Sequence, residues 1–366
     1  MKNFFAKNNK PLFEKNKNNV SEYLFPFSSK EEKELKEIIQ KLPETIIDFH
    51  FHLGQKEAVK QENKDYPSYG GTFLYQEIET GLIHQKILSG EMTGQKKHKI
   101  YQVAMAFPFQ GIDLEETNKW ILEKTKESCF LPFLIPLQGK EGLEKNKKAL
   151  ETNLYFGIAE ITPQLTEPRA KHLRGEEGYL SEEFLELVNQ QELPIVIHLP
   201  THLINHIEEI KELSKDYPKL KIILAHMGLV LCLTPRSENA LMEVIALPNV
   251  YFDTSTVTDK KVFAYVLKKA GFKKILFASD APYDALRLEV RFIDGKMQIF
   301  SSQDLSGTEK TEEEIDRMLI SSPKALLEAI KEIYPNEEQN KLARENIFYQ
   351  NALEILSKRL PSFNEK

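Results

Sequence analysis

The stretch TIIDFHFH (45–52) ends an apolar run with two histidines separated by one residue. Side chains at positions i and i+2 of a strand point to the same face, so Asp48, His50 and His52 share one face and the two phenylalanines share the other. Paired imidazoles make a poor core, because each must satisfy two ring nitrogens away from water. They make a good pair of metal ligands. From this stretch alone, metal ligation and ordinary hydrogen-bonded histidines both remain open.

Similar apolar runs recur along the chain, and polar helical stretches separate them. Near-continuous runs of Ile, Val and Phe are typical of strands buried on both faces. Strand–helix alternation predicts an α/β fold with a parallel sheet, closed most simply as a (β/α)8 TIM barrel. A doubly wound open sheet is the alternative, but no predicted strand is followed by a glycine-rich phosphate loop. The predicted strands are residues 45–52, 100–107, 130–137, 155–162, 194–199, 221–227, 250–255 and 274–280.

The rest of the chain is organised around this repeat. Residues 1–43 form a predicted N-terminal extension with an amphipathic helix at 29–41, and residues 44–366 form the predicted barrel domain. The segment 55–99 is too long for an ordinary connection between a strand and a helix, so we predict a lid or insertion there. A hairpin is predicted at 291–300, with Asp-Gly at its turn.

Composition restricts the class of protein. The 366-residue chain is 41% hydrophobic, with a mean hydropathy of -0.41, a net charge of -6 and two cysteines. No apolar run reaches about 18 residues, so no membrane span is expected, and the start of the chain lacks the apolar core of a secretory signal. The cysteines match no zinc-binding spacing and fit a reducing compartment. We therefore expect a cytoplasmic protein, and the lack of a basic stripe argues against nucleic acid as a partner.

Six polar side chains lie at or near the carboxyl ends of five predicted strands. In a barrel of parallel strands these ends converge on one mouth, where active sites are built. Four imidazoles and two carboxylates at one mouth predict a metal site, because so many costly polar groups are not expected to meet there by chance. The six residues are His50, His52, Glu160, His198, His226 and Asp280.

These residues and their sequence contexts resemble the amidohydrolase superfamily. The shared motifs are HFH on strand 1, a glutamate on strand 4, VIHLP, LAHMG, FASDAPY and the closing ENIFYQNALEIL. They are most similar to the amidohydrolase-related branch, which includes lactonases, decarboxylases and other hydrolases. The resemblance covers about residues 44–357 and leaves out the first 43 residues and the 55–99 segment. It implies a metal-dependent enzyme and does not identify the substrate.

The resemblance also implies roles for individual residues. In the family, the strand 1 pair, the strand 5 histidine and the strand 8 aspartate hold a divalent metal. The strand 6 histidine, His226 in this chain, is either a ligand of a second metal or a catalytic group. The positions that match the metal ligands are His50, His52, His198 and Asp280.

Glu160 departs from the commonest patterns of the family. Many two-metal members carry a carboxylated lysine on strand 4, and many one-metal members have no acidic group there. Some branches use a bridging glutamate, so Glu160 favours two metals over one metal with Glu160 as an acid/base group or a partner of the ligands. The cofactor expected is one or two divalent ions per chain, with Zn²⁺ favoured and Mn²⁺ or Fe²⁺ left open.

The chemistry implied is metal-assisted hydrolysis of a small amide, ester or lactone. Asp280 would orient the attacking water, accept its proton and protonate the leaving group. Arg174 and Arg236, in the loops after strands 4 and 6, could pair with a substrate carboxylate, although a surface salt bridge is the competing interpretation for each. Tyr69, in the 55–99 segment, is a further candidate for substrate contact.

Three other functions remain open. A metal-dependent decarboxylase of the same branch would need one metal and no attack by water. A metal-dependent deoxyribonuclease is suggested only by Glu160, and a non-catalytic metal-binding barrel is disfavoured by the complete ligand set. The expected partner is a small-molecule substrate, and the sequence leaves open whether the chain forms a homo-oligomer.

Overall fold

The computed structural model describes residues 27–60, 75–95, 98–109, 111–125, 129–162, 170–174, 180–293, 296–301 and 315–359. For the hairpin residues 289, 291–293 and 296–301 it describes the backbone alone. Within these residues, no helix combines the length and the hydropathy needed to cross a membrane.

Eight parallel strands follow one another around a barrel in the order β1 to β8. The ring closes through backbone hydrogen bonds from Phe49 N–H to Phe277 O (2.9 Å) and from His52 N–H to Ala281 O (2.8 Å). The predicted (β/α)8 barrel is confirmed. The strands are β1 (Thr45–His52), β2 (Lys99–Met105), β3 (Phe130–Leu134), β4 (Gly157–Ile161), β5 (Pro194–Ile197), β6 (Lys221–Leu224), β7 (Val250–Asp253) and β8 (Ile275–Leu276).

Helices alternate with these strands, and others precede and follow the barrel. An antiparallel hairpin, β9 (Leu288–Ile293) and β10 (Lys296–Ser301), lies where the sequence predicts one. The helices are α1 (Ser29–Ile39), α2 (Ile78–Leu88), α3 (Leu114–Lys124), α4 (Gly139–Glu151), α5 (Glu182–Gln190), α6 (Ile207–Asp216), α7 (Pro235–Ile245), α8 (Lys260–Ala270), α9 (Met318–Ile333), α10 (Glu337–Glu345) and α11 (Asn351–Leu356).

Several strands end earlier than the sequence predicts. β6 stops at Leu224 instead of residue 227, because residues 226–229 form a turn in which every φ lies between 55° and 69°. Left-handed backbone cannot continue a strand. The chain therefore leaves the sheet just before His226, and the same change to positive φ occurs at Asp280 after β8 (φ 61°).

Part of the 55–99 segment forms a helix, α2, that lies beside β1. Helix α2 packs against the face of β1 opposite the two histidines, and a Cβ placed on Gly81 would lie 3.0 Å from the Leu53 side chain and 3.4 Å from Phe51. Glycine therefore permits the close approach of helix and strand at this point. Residues 61–74 lie outside the described residues, so a lid in that part of the segment stays a prediction.

The helix predicted in the N-terminal extension is anchored to the barrel by a buried carboxylate. Glu31 on α1 is 1% exposed and contacts Arg287 (2.7 Å) and Arg317 (2.6 Å). Its second oxygen accepts a hydrogen bond from the Ser28 N–H, which closes a capping box at the start of the helix. This cluster ties α1 to the chain that follows the Asp280 turn.

Replacing Glu31 with Gln should destabilise the protein by about 3–5 kcal/mol, because two arginines would lose their shared buried counter-ion. The matched control is Glu34→Gln on the same helix, whose partner Lys324 is 41% exposed; we expect a loss of about 1 kcal/mol or less there. Urea unfolding followed by circular dichroism measures both. Equal losses for the two variants would show that the buried cluster contributes no more than a surface pair.

Candidate metal centre

The six polar side chains predicted at the barrel mouth come together as two neighbouring groups. In each group, one ligand atom per residue lies within 4.8 Å of the others. Five of the six residues are buried, and His198 is partly exposed. The first group is His50, His52 and Asp280, and the second is Glu160, His198 and His226.

The first group has the spacing of ligands around a single ion. The Nε2 atoms of His50 and His52 are 3.1 Å apart. The Oδ1 atom of Asp280 is 3.5 Å from the first of these nitrogens and 3.2 Å from the second. Ligands at about 2 Å from a tetrahedral ion lie about 3.3 Å from one another, so the three atoms fit one metal position.

Hydrogen bonds at Nδ1 determine which nitrogen of each strand 1 histidine carries a proton. His50 donates through Nδ1 to Asp253 Oδ2 (2.9 Å), and His52 donates through Nδ1 to the Ala106 carbonyl (3.2 Å). Both acceptors lack a proton to give, so in each neutral ring Nε2 is left with its lone pair. Two lone pairs then face each other across 3.1 Å, which is repulsive unless a metal ion or a proton lies between them.

The two histidines of the second group are oriented in the same way. His198 donates through Nδ1 to the Leu199 carbonyl (2.9 Å), and His226 donates through Nδ1 to Ser255 Oγ (2.8 Å). The Ser255 hydroxyl in turn donates its proton to Asp253 Oδ1 (2.5 Å), so its oxygen is free to accept. Both Nε2 atoms therefore carry lone pairs. A donor set of imidazole lone pairs and carboxylates suits Zn²⁺ and similar divalent ions.

Glu160 belongs to the second group and also faces the first, with one carboxylate oxygen directed toward each. Its Oε2 atom is 3.9 Å from His50 Nε2 and 3.8 Å from His52 Nε2. Its Oε1 atom is 3.8 Å from His226 Nε2 and is buried without a hydrogen-bond donor among the described residues. A buried carboxylate oxygen needs a compensating partner, so this atom also fits a site built for cations.

Burial and mutual charge perturb the titration of the first group in the metal-free protein. Burial raises the pKa of Asp280 to about 7, although His50 acts against the rise. Burial also disfavours a charged His50, but the Asp280 and Asp253 carboxylates outweigh it and raise the pKa of His50 to about 10. Burial and the charge of His50 lower the pKa of His52 to about 4. The metal-free group thus retains a proton where the geometry offers room for an ion.

The backbone at two of these residues is strained. His226 and Asp280 have φ values of 55° and 61°, in the left-handed region that most side chains avoid. The His226 N–H is held by Asp253 Oδ1 (2.8 Å), and the Asp280 N–H is held by the His50 carbonyl (2.9 Å). Residues in such conformations persist when their surroundings determine them, and they concentrate at functional sites.

The predicted substrate contacts are not joined to this centre by the described structure. Arg174 pairs with Asp216 (2.7 Å) and Glu182 (3.4 Å). Arg236 is exposed near the start of α7, and Tyr69 lies outside the described residues. No described contact links either arginine to the six converging side chains, so all three substrate roles stay predictions.

Sequence reasoning missed two residues that touch the centre, Asp253 and Ser255. The signal was present in VYFDTS, where a buried strand ends in a carboxylate as the strand before Asp280 does. Two aromatic rings at the centre were also missed. Phe107 stacks on His52 with the ring centroids 5.2 Å apart, and Tyr283 meets the same ring edge-on at 5.8 Å.

The solved structures that this fold resembles are distant in sequence. Amidohydrolase 2 from Bifidobacterium longum subsp. infantis is 17% identical with a TM-score of 0.51, covering 86% of this chain and 99% of that one. A 5-carboxyvanillate decarboxylase from Sphingomonas paucimobilis is 11% identical with a TM-score of 0.53 and the same coverage. A dihydroxybenzoic acid decarboxylase from Polaromonas sp., with bound manganese and 2-nitroresorcinol, is 16% identical with a TM-score of 0.50, covering 87% and 100%. These likenesses support the barrel fold.

Comparison of the amino-acid sequence with known proteins and protein families identifies the family of this chain. No match to a curated protein is found. The amidohydrolase family model matches residues 105–329, which is more than half of the chain and includes four of the six converging residues. This chain belongs to the amidohydrolase family of metal-dependent enzymes.

Proposed function

We propose that the protein is a hydrolase that acts on a small amide, ester or lactone and works with two divalent ions, Zn²⁺ being the favoured metal. One observation carries the two-ion form of the proposal. The oxygens of Glu160 divide between the two groups, Oε2 toward His50 and His52 and Oε1 toward His226. A carboxylate in this position can bridge two ions.

The bound metal would supply a water that ionises near neutral pH and would polarise the scissile carbonyl. The chain's own contribution to the reaction is proton transfer by Asp280. Water adds its oxygen to the carbonyl carbon, the bond from that carbon to nitrogen or oxygen breaks, and Asp280 passes the proton from the water to the leaving atom. Beside a divalent cation its carboxylate would be ionised near neutrality and ready to accept that proton.

The charges at the centre favour a neutral or anionic substrate. Glu160, Asp253 and Asp280 are buried carboxylates and together contribute a charge of about -3 when ionised. Two divalent ions would leave a small positive excess, whereas one would leave the site negative. Arg236 and Tyr69 are kept as proposed contacts for an anionic substrate group. Arg174 is a weaker proposal, because its guanidinium already pairs with two carboxylates.

A decarboxylase is the second candidate, and it corresponds to one ion in place of two. His50, His52, His198 and Asp280 would then surround a single metal, with Glu160 as an acid/base group. Two decarboxylases share the fold, and one of them holds manganese, which supports this alternative. The number of ions distinguishes the two candidates.

Glu160→Gln should lower the metal content from about two ions per chain toward one, because an uncharged amide is a poor bridge between cations. Elemental analysis of protein loaded with Zn²⁺ or Mn²⁺ measures the stoichiometry. Glu116→Gln is the control, since Glu116 is 42% exposed and pairs with Lys60. If Glu160→Gln binds as many ions as the unmodified protein, the bridge is wrong and the decarboxylase becomes the better proposal.

Asp280→Asn should lower kcat by at least about a hundredfold, because the amide keeps the shape of the side chain but cannot accept the proton. Steady-state kinetics on a substrate found by screening amides, esters and lactones provides the measurement. Asp316→Asn is the control, as Asp316 pairs with a half-exposed lysine. Near-normal turnover by Asp280→Asn, with the fold intact, would exclude the proposed role.

A further inference from the structure

The carboxylate of Asp253 touches both groups of the metal centre. Oδ2 accepts a hydrogen bond from His50 Nδ1 at 2.9 Å. Oδ1 accepts from the His226 N–H (2.8 Å), from the Ser255 N–H (3.1 Å) and from Ser255 Oγ (2.5 Å). Asp253 is 0% exposed, so these bonds replace all contact with water.

We infer that Asp253 is a positioning residue shared by the two metal positions, holding His50 with one oxygen and His226 with the other. This inference rests on the two-ion site proposed above. Asp253 is not among the converging ligand atoms and acts on the metals only through the two histidines. Its position at the end of β7 places it between β6, which leads to His226, and the closing side of the barrel, where β8 meets β1.

A carboxylate suits this position because it can only accept hydrogen bonds. An ionised carboxylate only accepts hydrogen bonds, so it obliges His50 Nδ1 to carry a proton and leaves the lone pair on Nε2. Four donors surround the Asp253 carboxylate, namely His50 Nδ1, the His226 N–H and the N–H and Oγ–H of Ser255. The anionic form, which only accepts, is the form that these hydrogen bonds fit, and it is the form that imposes this tautomer.

His226 is fixed through Ser255 as an intermediary. Because the Ser255 hydroxyl gives its proton to Asp253, its oxygen must accept from His226 Nδ1. The same Asp253 oxygen holds the His226 N–H and so supports the left-handed backbone there. As a result the rings of His50 and His226 lie nearly parallel, 26° apart, with centroids 5.4 Å from one another. One side chain thus sets the relative placement of a ligand from each group.

A purely structural role makes a different prediction. If Asp253 served only to hold the turn after β6, asparagine would replace it well, because Oδ1 could still accept from His226 and Ser255. The amide nitrogen of asparagine would instead face His50 Nδ1 as a donor. His50 would then have to carry its proton on Nε2, where the proton blocks the metal. Asp253→Asn therefore separates tautomer control from support of the turn.

The experiment compares Asp253→Asn, Ser255→Ala and Asp253→Ala in the zinc-loaded full chain. Chelator competition gives the affinity of each ion, and long-range ¹H–¹⁵N spectra of ¹⁵N-histidine protein report the protonated nitrogen of each ring. The control is Asp48→Asn, a buried carboxylate on β1 that accepts hydrogen bonds from Ser279, Gln102 and the backbone N–H of His50, and from no imidazole ring among the described residues.

We expect Asp253→Asn to lower the affinity for the ion at His50 by about 10–100-fold. The ¹⁵N signals of the His50 ring should then no longer be those of a metal-bound imidazole. Ser255→Ala should lower the affinity for the ion at His226 by a similar factor and leave the affinity for the other ion unchanged. Asp253→Ala should weaken both ions. Asp48→Asn should leave the histidine signals in place, whatever its effect on the melting temperature. If Asp253→Ala does not fold, the first two variants still decide the question, because each retains most of the bonds at the turn.

Two results would overturn the inference. If Asp253→Asn binds both ions with normal affinity and its histidine ring signals are unchanged, Asp253 only stabilises the turn after β6. If Ser255→Ala lowers the affinity for both ions equally, or for neither, then Ser255 does not orient His226 independently of His50. A single ion in the unmodified protein would instead contradict the two-ion site and the sharing of Asp253 between two ions. The tautomer role at His50 would then be decided by Asp253→Asn alone.

Discussion

The convergence of imidazole nitrogens and carboxylates in one buried region, which positive charge must offset, is the constraint on which this site depends. Four imidazoles direct Nε2 toward one buried region, since each Nδ1 is occupied by an acceptor, and two carboxylates face the same region. No arrangement of these groups is favourable without positive charge among them. The barrel core supplies the folding energy that holds them together in advance of binding. A cation then meets ligands that are already in place.

The fold holds these groups by ending its strands at the mouth. The backbone becomes left-handed at His226, soon after β6, and at Asp280, which follows β8, and the N–H of each of these residues donates a hydrogen bond to a neighbouring element. The closing side of the barrel is also secured from outside. Helix α1 reaches the segment after Asp280 through the buried Glu31 and its two arginines. Helix α1 therefore helps to hold the part of the chain that carries Asp280.

Much of the barrel could be predicted from the sequence. Strands buried on both faces have near-continuous apolar sequences, whereas the helices between them also contain many polar residues. The carboxyl ends of such strands meet, so HFH, VIHL, LAHM and FASD could be assigned to one mouth before any coordinates. Asp253 was missed, although VYFD has the same pattern. Its role lies in contacts with His50 and Ser255, and tertiary hydrogen bonds leave no periodic signal in a sequence.

Helix α2 could not be predicted for a related reason. Its sequence IETGLIHQKIL includes a glycine and has no capping side chain at Glu77, so the usual signals at a helix start are missing. The helix forms because Gly81 lets it pack tightly on β1, which is a tertiary effect. The end of β6 was predicted too far along the chain, because the positive φ at His226 is not favoured by local propensity and accompanies a tertiary hydrogen bond to Asp253.

The most direct test of the account is to locate the metal itself by anomalous scattering from crystals grown with Zn²⁺ or Mn²⁺. Two peaks about 3.5–4 Å apart are expected, as in other two-metal sites. One should lie within bonding distance of His50 Nε2 and His52 Nε2, and the other beside His198 and His226, with Glu160 between them. A single peak, or peaks away from these nitrogens, would contradict the bridged centre.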